Sequence, residues 1–201
     1  MMVRKLTFAF LIVLISCGLK AQQNETKNNY RKFPIIAGLQ FQNFAMPFND
    51  IGSNFQHLGF WAGTEISLNR NETMLQNAVL GSYFNSELGN GTYLYSQLIY
   101  QPHLFDKIFI RLQGGAGYLF VRHPVKAYKF ENDTWKEVRG GKSQVIIPFE
   151  LSAGYSFKTS FGKCSPFVSY QLSPALFYNK TVPLNFYSNI LVGAKIHLNK
   201  K

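Results

Sequence analysis

Eight segments between Ile35 and Leu198 alternate apolar and polar residues, and almost no charge falls inside them. The last segment shows the pattern most plainly. Leu184, Phe186, Ile190, Val192, Ala194, Ile196 and Leu198 share one parity, and Asn185, Tyr187, Asn189, Gly193, Lys195 and His197 share the other. Successive side chains of a strand point to opposite faces, so period two means one apolar and one polar face. The same reading predicts strands over 35–46, 57–69, 74–85, 92–101, 108–121, 145–157, 166–173 and 184–198. The third and fourth alternate less cleanly than the rest. Pro148 interrupts the sixth, where it removes a ladder donor; it is placed at a bulge or near the strand's outer end.

Turn-forming residues separate the segments, as at 69–72, 88–91, 105–107 and 161–163. The exception is 122–143, which contains His123, Pro124, Asp133, Trp135, Gly140 and Gly141. A connection this long is uncommon and usually functional. Counted from a periplasmic N-terminus, it falls outside the cell together with the other odd-numbered connections. The even-numbered ones are short and fall in the periplasm, the pattern of bacterial membrane barrels.

Alternation alone does not say which face looks inward, because a soluble ligand-binding barrel alternates too. Charge decides. Within the segments the charged residues are Glu65, Arg111, Glu150 and Lys195, all on the polar face. A soluble barrel would coat its outside with Lys and Glu. Here the polar face is Gly, Ser, Gln and Asn, which suits a narrow lumen. A charge facing lipid at midplane costs about 2–4 kcal/mol, and none is placed there. Two acids and two bases balance formally and form a candidate lumen charge network. Most segments also reach the roughly 9–11 residues that a tilted transmembrane strand needs. Phe44, Phe48, Tyr83, Phe84, Tyr100, Tyr118, Phe120, Tyr155, Phe157 and Tyr187 fall near segment ends, where a membrane barrel carries aromatic girdles. Trp61, on the polar face, reads as sheet core instead.

On these residues the chain from Ile35 to Leu198 resembles the small outer-membrane β-barrels of Gram-negative bacteria, of the OmpA-transmembrane or OmpX type. The final run Gly193-Ala194-Lys195-Ile196-His197-Leu198 looks like the terminal signal that barrel-assembly machinery reads, although it ends Asn199-Lys200-Lys201 rather than on an aromatic. The resemblance implies an all-β, eight-stranded antiparallel up-and-down transmembrane barrel in the outer membrane. Its partners would be outer-membrane lipid and lipopolysaccharide.

The N-terminus fits export. A basic start at Arg4 and Lys5 precedes an apolar run over 6–15 and small residues before Ala21-Gln22. This is the layout of a signal peptide over 1–21, followed by a polar leader over 22–32 and the barrel domain over 33–201. Cleavage after Ala21 is expected; Leu14-Ile15-Ser16-Cys17 also matches a lipobox, so lipidation at Cys17 is the alternative. If Cys17 is removed or lipidated, Cys164 has no disulfide partner. The formal charge of +11 becomes +8 once Arg4, Lys5 and Lys20 leave with the leader. It is scattered over loops rather than gathered on a stripe, and an exported protein meets little nucleic acid.

Candidate chemistry is sparse. His57 and His123 form a possible rim polar cluster at predicted outer strand ends, with Asp133, Glu137 and Ser143 nearby in the long connection. His, acid and hydroxyl could transfer an acyl group, as in a lipid A-modifying barrel, but no hydrolase spacing is present. His57, His103, His123 and His197 lack ligand spacing, so no metal and no cofactor are expected. Residues 114–117 are Gly-rich without the Lys-Ser/Thr of a phosphate loop. The sequence therefore predicts a non-enzymatic barrel with a structural or surface-interaction role and a lumen closed by charge. A narrow solute channel, a lipid A-modifying enzyme and a soluble lipoprotein barrel tethered at Cys17 are the alternatives. The oligomeric state is open.

Overall fold

The computed structural model describes residues 33–43, 55, 57–86, 89–102, 107–122, 127–131, 134–138, 141–176 and 184–199. The leader, Cys17, His103, His123 and Asp133 lie outside them, as do Phe44 and Phe48. The described strands are β1 (Ile35–Asn43), β2 (His57–Ser67), β3 (Met74–Tyr83), β4 (Asn90–Tyr100), β5 (Ile108–Arg122), β6 (Ala127–Glu131), β7 (Thr134–Val138), β8 (Gly141–Ile146), β9 (Phe149–Tyr155), β10 (Phe157–Thr159), β11 (Gly162–Leu176) and β12 (Leu184–Leu198). All pairings are antiparallel. β1 to β5 pair in sequence, β8 and β9 bridge β5 to β11, β11 pairs with β12, and β12 returns to β1. The result is a closed, eight-walled, up-and-down transmembrane barrel. Closure leaves no open backbone edge, which lipid would not tolerate.

The sixth wall strand differs from expectation. β8, β9 and β10 are three pieces of one strand, because Leu176↔Val145, Leu172↔Phe149, Phe167↔Gly154 and Phe157↔Cys164 keep a single register against β11. Pro148 therefore sits at mid-strand, neither at a bulge nor at the outer end. The register against β5 is also unbroken, from Gly117↔Ile146 to Gly114↔Phe149. Gly115 N–H still donates to the Pro148 carbonyl (3.1 Å), so the proline deletes one bond without adding a residue.

The long connection is shorter than expected. Lys142 and Ser143 belong to β8, and β6 and β7 form a hairpin of their own within 123–140. Asn43, His57, Tyr83, Asn90, Arg122, Gly141, Leu176 and Leu184 mark one end of the barrel, where the longer stretches of chain between strands begin and end; Ser67, Met74, Tyr100, Ile108, Thr159 and Gly162 mark the other, where they are shorter.

Outward positions carry the apolar parity. Leu80, Leu94, Leu112, Leu151 and Phe60 are each more than half exposed. That surface would be insoluble in water and is at home in hydrocarbon, which argues against the soluble-barrel alternative. Two residues assigned to the aromatic girdle lie inside instead. Tyr83 and Tyr187 are buried, on the lumen parity of β3 and β12. Tyr93 and Tyr95 are buried beside them, with rings stacked at 5.4 Å. These rings make the third and fourth segments alternate poorly, since both faces there are apolar.

Candidate functional site: the lumen and its charge network

The inside is filled by rings set against glycines. In the cross-strand register Trp61 faces Gly38, Tyr83 faces Gly91, Tyr93 faces Gly81, Tyr95 faces Gly117 and Phe109 faces Gly154. A Cβ at Gly81 or Gly91 would collide with the facing tyrosine, and one at Gly193 would lie 2.6 Å from the Trp61 ring. An eight-stranded barrel has only enough bore for side chains. Each large ring thus takes the room of a missing neighbour.

Toward the short-turn end the polar parity brings three charges together. Glu65, near the end of β2, accepts from Arg111 Nη1 (2.8 Å) on β5 and from Lys195 Nζ (3.0 Å) on β12. All three are buried. Arg111 Nε donates to Gln101 Oε1 (2.8 Å), and the guanidinium lies 4.6 Å from the Phe109 ring centroid. Both Glu65 oxygens are therefore occupied by cations across the bore. Such a network is costly to desolvate but strongly destabilised when one partner is removed.

Glu150 stands apart from this triad and is held by neutral donors. Gln113 Nε2 (2.9 Å) and Ser152 Oγ (3.1 Å) donate to its Oε1, and Gln171 Nε2 (3.2 Å) to its Oε2. From Gln171 the contacts continue to Tyr95 (3.1 Å) and Asn189 (3.0 Å). Higher still, Tyr93 donates to Gln40, and Tyr187 to Gln144. Sequence reasoning missed this amide and hydroxyl column, although its lumen parity could have marked Gln40, Gln97, Gln113, Gln144 and Gln171. Two spaces among these described side chains are small. One cavity of about 20 Å³ lies among Gln40, Gln42, Tyr93 and Asn189, and another of about 10 Å³ among Arg111, Gln113 and Glu150. A void of that size holds about one water.

Of the rim cluster, His123 lies outside the described residues, as does Asp133. His57 lies on the lumen parity of β2, whereas Ser143 is exposed on the outer parity of β8, so the barrel wall separates them. Glu137 lies on β7, in register with Tyr128. No group of His, Cys, Asp and Glu suited to a metal ion occurs among the described residues.

No protein-family model and no curated protein matches the chain. Solved structures do. Neisserial surface protein A (NspA) aligns over 86% of this chain and 100% of its own at 9% identity, with a TM-score of 0.51. Ail, the attachment invasion locus protein of Yersinia pestis, aligns over 83% of this chain and 97% of its own at 13% identity and a TM-score of 0.42. A de novo designed transmembrane β-barrel aligns over 87% and 100% at 11% identity and 0.40. At such identity the likeness to the neisserial protein is one of architecture: the chain has the fold of a small, eight-stranded transmembrane β-barrel.

Proposed function

We propose that this protein is a closed outer-membrane barrel that anchors a surface-exposed hairpin and contacts molecules outside the cell. The observation that carries this reading is the combination of a packed bore with an unequal pair of ends. Among the described residues, rings, amides and the Glu65 ion pairs pack the lumen, with spaces of about 20 and 10 Å³ between them, and the longest connection carries the β6–β7 hairpin. A bore packed in this way does not pass hydrated solutes, so the end with the longer connections is the part free to interact. In this reading residues 1–21 direct export, the short turns face the periplasm, and β12 engages the assembly machinery. Outer-membrane lipid and lipopolysaccharide surround the wall, and Glu65, Arg111, Lys195 and Glu150 close the lumen.

A single cysteine placed at Asn132, with Cys164 changed to Ser, tests the reading. A membrane-impermeant maleimide should label intact cells at the hairpin. Labelling only after lysis would show the opposite orientation. Purified barrel in planar bilayers should show no steady conductance; long-lived open channels would replace the anchor reading with that of a pore.

A further inference from the structure

Two clusters divide the buried charge of the bore. Glu65 with Arg111 and Lys195 sets two cations against one carboxylate, while Glu150 sits among neutral amides and hydroxyls. On the wall the clusters are diagonal neighbours: Arg111 is in register with Ser152, and Gln113, two residues on, with Glu150. Such diagonal positions lie about 7–8 Å apart, within reach of long side chains. Arg111, Gln113, Glu150 and Glu65 all line the space of about 10 Å³. Arg111 Nη2 is buried without a hydrogen-bond partner, although Nη1 and Nε are both engaged.

The backbone locks the donor directions around Glu150. A backbone N–H can only donate, and that of Gln97 donates to Asn77 Oδ1 (2.7 Å). Asn77 Nδ2 therefore donates in turn to the side-chain oxygens of Gln97 (3.0 Å) and Gln113 (3.4 Å). This leaves Gln113 Nε2 for Glu150 Oε1. On the other side Gln171 Oε1 accepts from Asn189 Nδ2 (3.0 Å) and Ser173 Oγ (3.3 Å), which turns Gln171 Nε2 toward Glu150 Oε2. Ser152 Oγ accepts from Gln113 Nε2 (2.7 Å) and Ser169 Oγ (2.9 Å), so its own proton also goes to Glu150. Three donors and no acceptor among these partners meet this carboxyl. A protonated acid would have a proton to give and none of them to take it, whereas a carboxylate accepts all three bonds.

We propose that the space between the clusters is a binding site for one water molecule, which accepts from Arg111 Nη2 and donates to an ionised Glu150. A void of this size admits about one water. The bridge gives Arg111 its missing acceptor and ties the excess cation of the Glu65 cluster to the second carboxylate. Glu65, Arg111, Glu150 and Lys195, the charged residues buried among the described residues, then form one neutral unit. Neutrality matters in a bore of low dielectric, where unbalanced charge costs far more than in water. The inference concerns the bore alone and is independent of what the outer end contacts.

Two measurements on the refolded barrel test this. Infrared difference spectra of the parent against Glu150→Gln, at neutral pH in detergent, should show a carboxylate stretch lost in the variant and no protonated-acid carbonyl band lost with it. Arg111→Lys keeps a cation near Glu65 but removes the free guanidinium nitrogen. In that background the Glu150 stretch should move to a different frequency, whereas Arg122→Gln, at the far end of β5, should leave it in place. A crystal structure of the parent at high resolution should show one water within hydrogen-bond distance of both Arg111 Nη2 and a Glu150 oxygen. This second measurement uses no variant, so it stands on its own where Glu150→Gln fails to refold. A protonated-acid band, a stretch unmoved in Arg111→Lys, an empty space, or direct contact between Arg111 and Glu150 would each overturn the proposal.

Discussion

Glu65 is the residue on which the lumen's charge turns, because each of its oxygens takes a buried cation. Glu65→Gln would strand Arg111 and Lys195 together in a packed bore. We expect a loss of about 3–5 kcal/mol, read from denaturant unfolding in detergent, the usual range for breaking a buried pair. Lys195→Met leaves Glu65 with Arg111 and should cost less, yet still lower the melting temperature more than Lys200→Met. Equal effects of the two lysine variants would show that the network contributes nothing. A second expectation concerns orphaned atoms. Gln40 Nε2, Gln42 Oε1 and Asn189 Oδ1 are buried without partners and line one cavity. One donor and two acceptors are what a single water satisfies, and a high-resolution crystal structure should show it there. That Glu65, Arg111, Glu150 and Lys195 share a face is readable from period two. Which of them meet is not, because that depends on how the closed wall staggers the strands. Nothing local in the sequence distinguishes the Glu150 of the amide cradle from the Glu65 of the ion pairs.

At the scale of the strand, parity was legible wherever one face is purely apolar, as in β12. It blurred in β3 and β4, where Tyr83, Tyr93 and Tyr95 point inward and put rings on the polar face. Aromatic content near a strand end does not separate a girdle from a plug; the parity of the ring along its strand does. The ring–glycine pairs are reciprocal, with Gly81 under Tyr93 and Gly91 under Tyr83 on the same two strands. Gly81→Tyr alone should prevent folding, seen as loss of the heat-modifiable shift on gels, whereas Gly81→Tyr combined with Tyr93→Gly should recover it. Failure of the double variant would mean that ring position matters beyond volume. Pro148 sits at mid-strand, not at a bulge or near the outer end, because the loss of one donor leaves the register on both sides intact. Its carbonyl still bonds Gly115, so Pro148→Ala should complete the pair. The new amide should exchange slowly with solvent in NMR; fast exchange would show that the strand remains open at that point.

For the molecule as a whole, the apolar exterior and the closed ring follow from one sequence feature, the near absence of charge from the strands. The β6–β7 hairpin was not legible, since its strands are short and its charges mixed. The ring closes where β1 meets β12, and Lys195 reaches Glu65 across that seam, 130 residues away in sequence. Such an ion pair has no local precursor. It forms only once the first and last strands have found each other, after most of the bore is built. Interactions absent from a folding transition state govern escape from the native state rather than arrival. The Lys195–Glu65 contact therefore acts as a latch in time: Lys195→Met should speed unfolding in detergent while leaving the rate of insertion and folding into lipid vesicles nearly unchanged. A slower folding rate with unaltered unfolding would place seam closure early, and make the first and last strands the nucleus of the barrel.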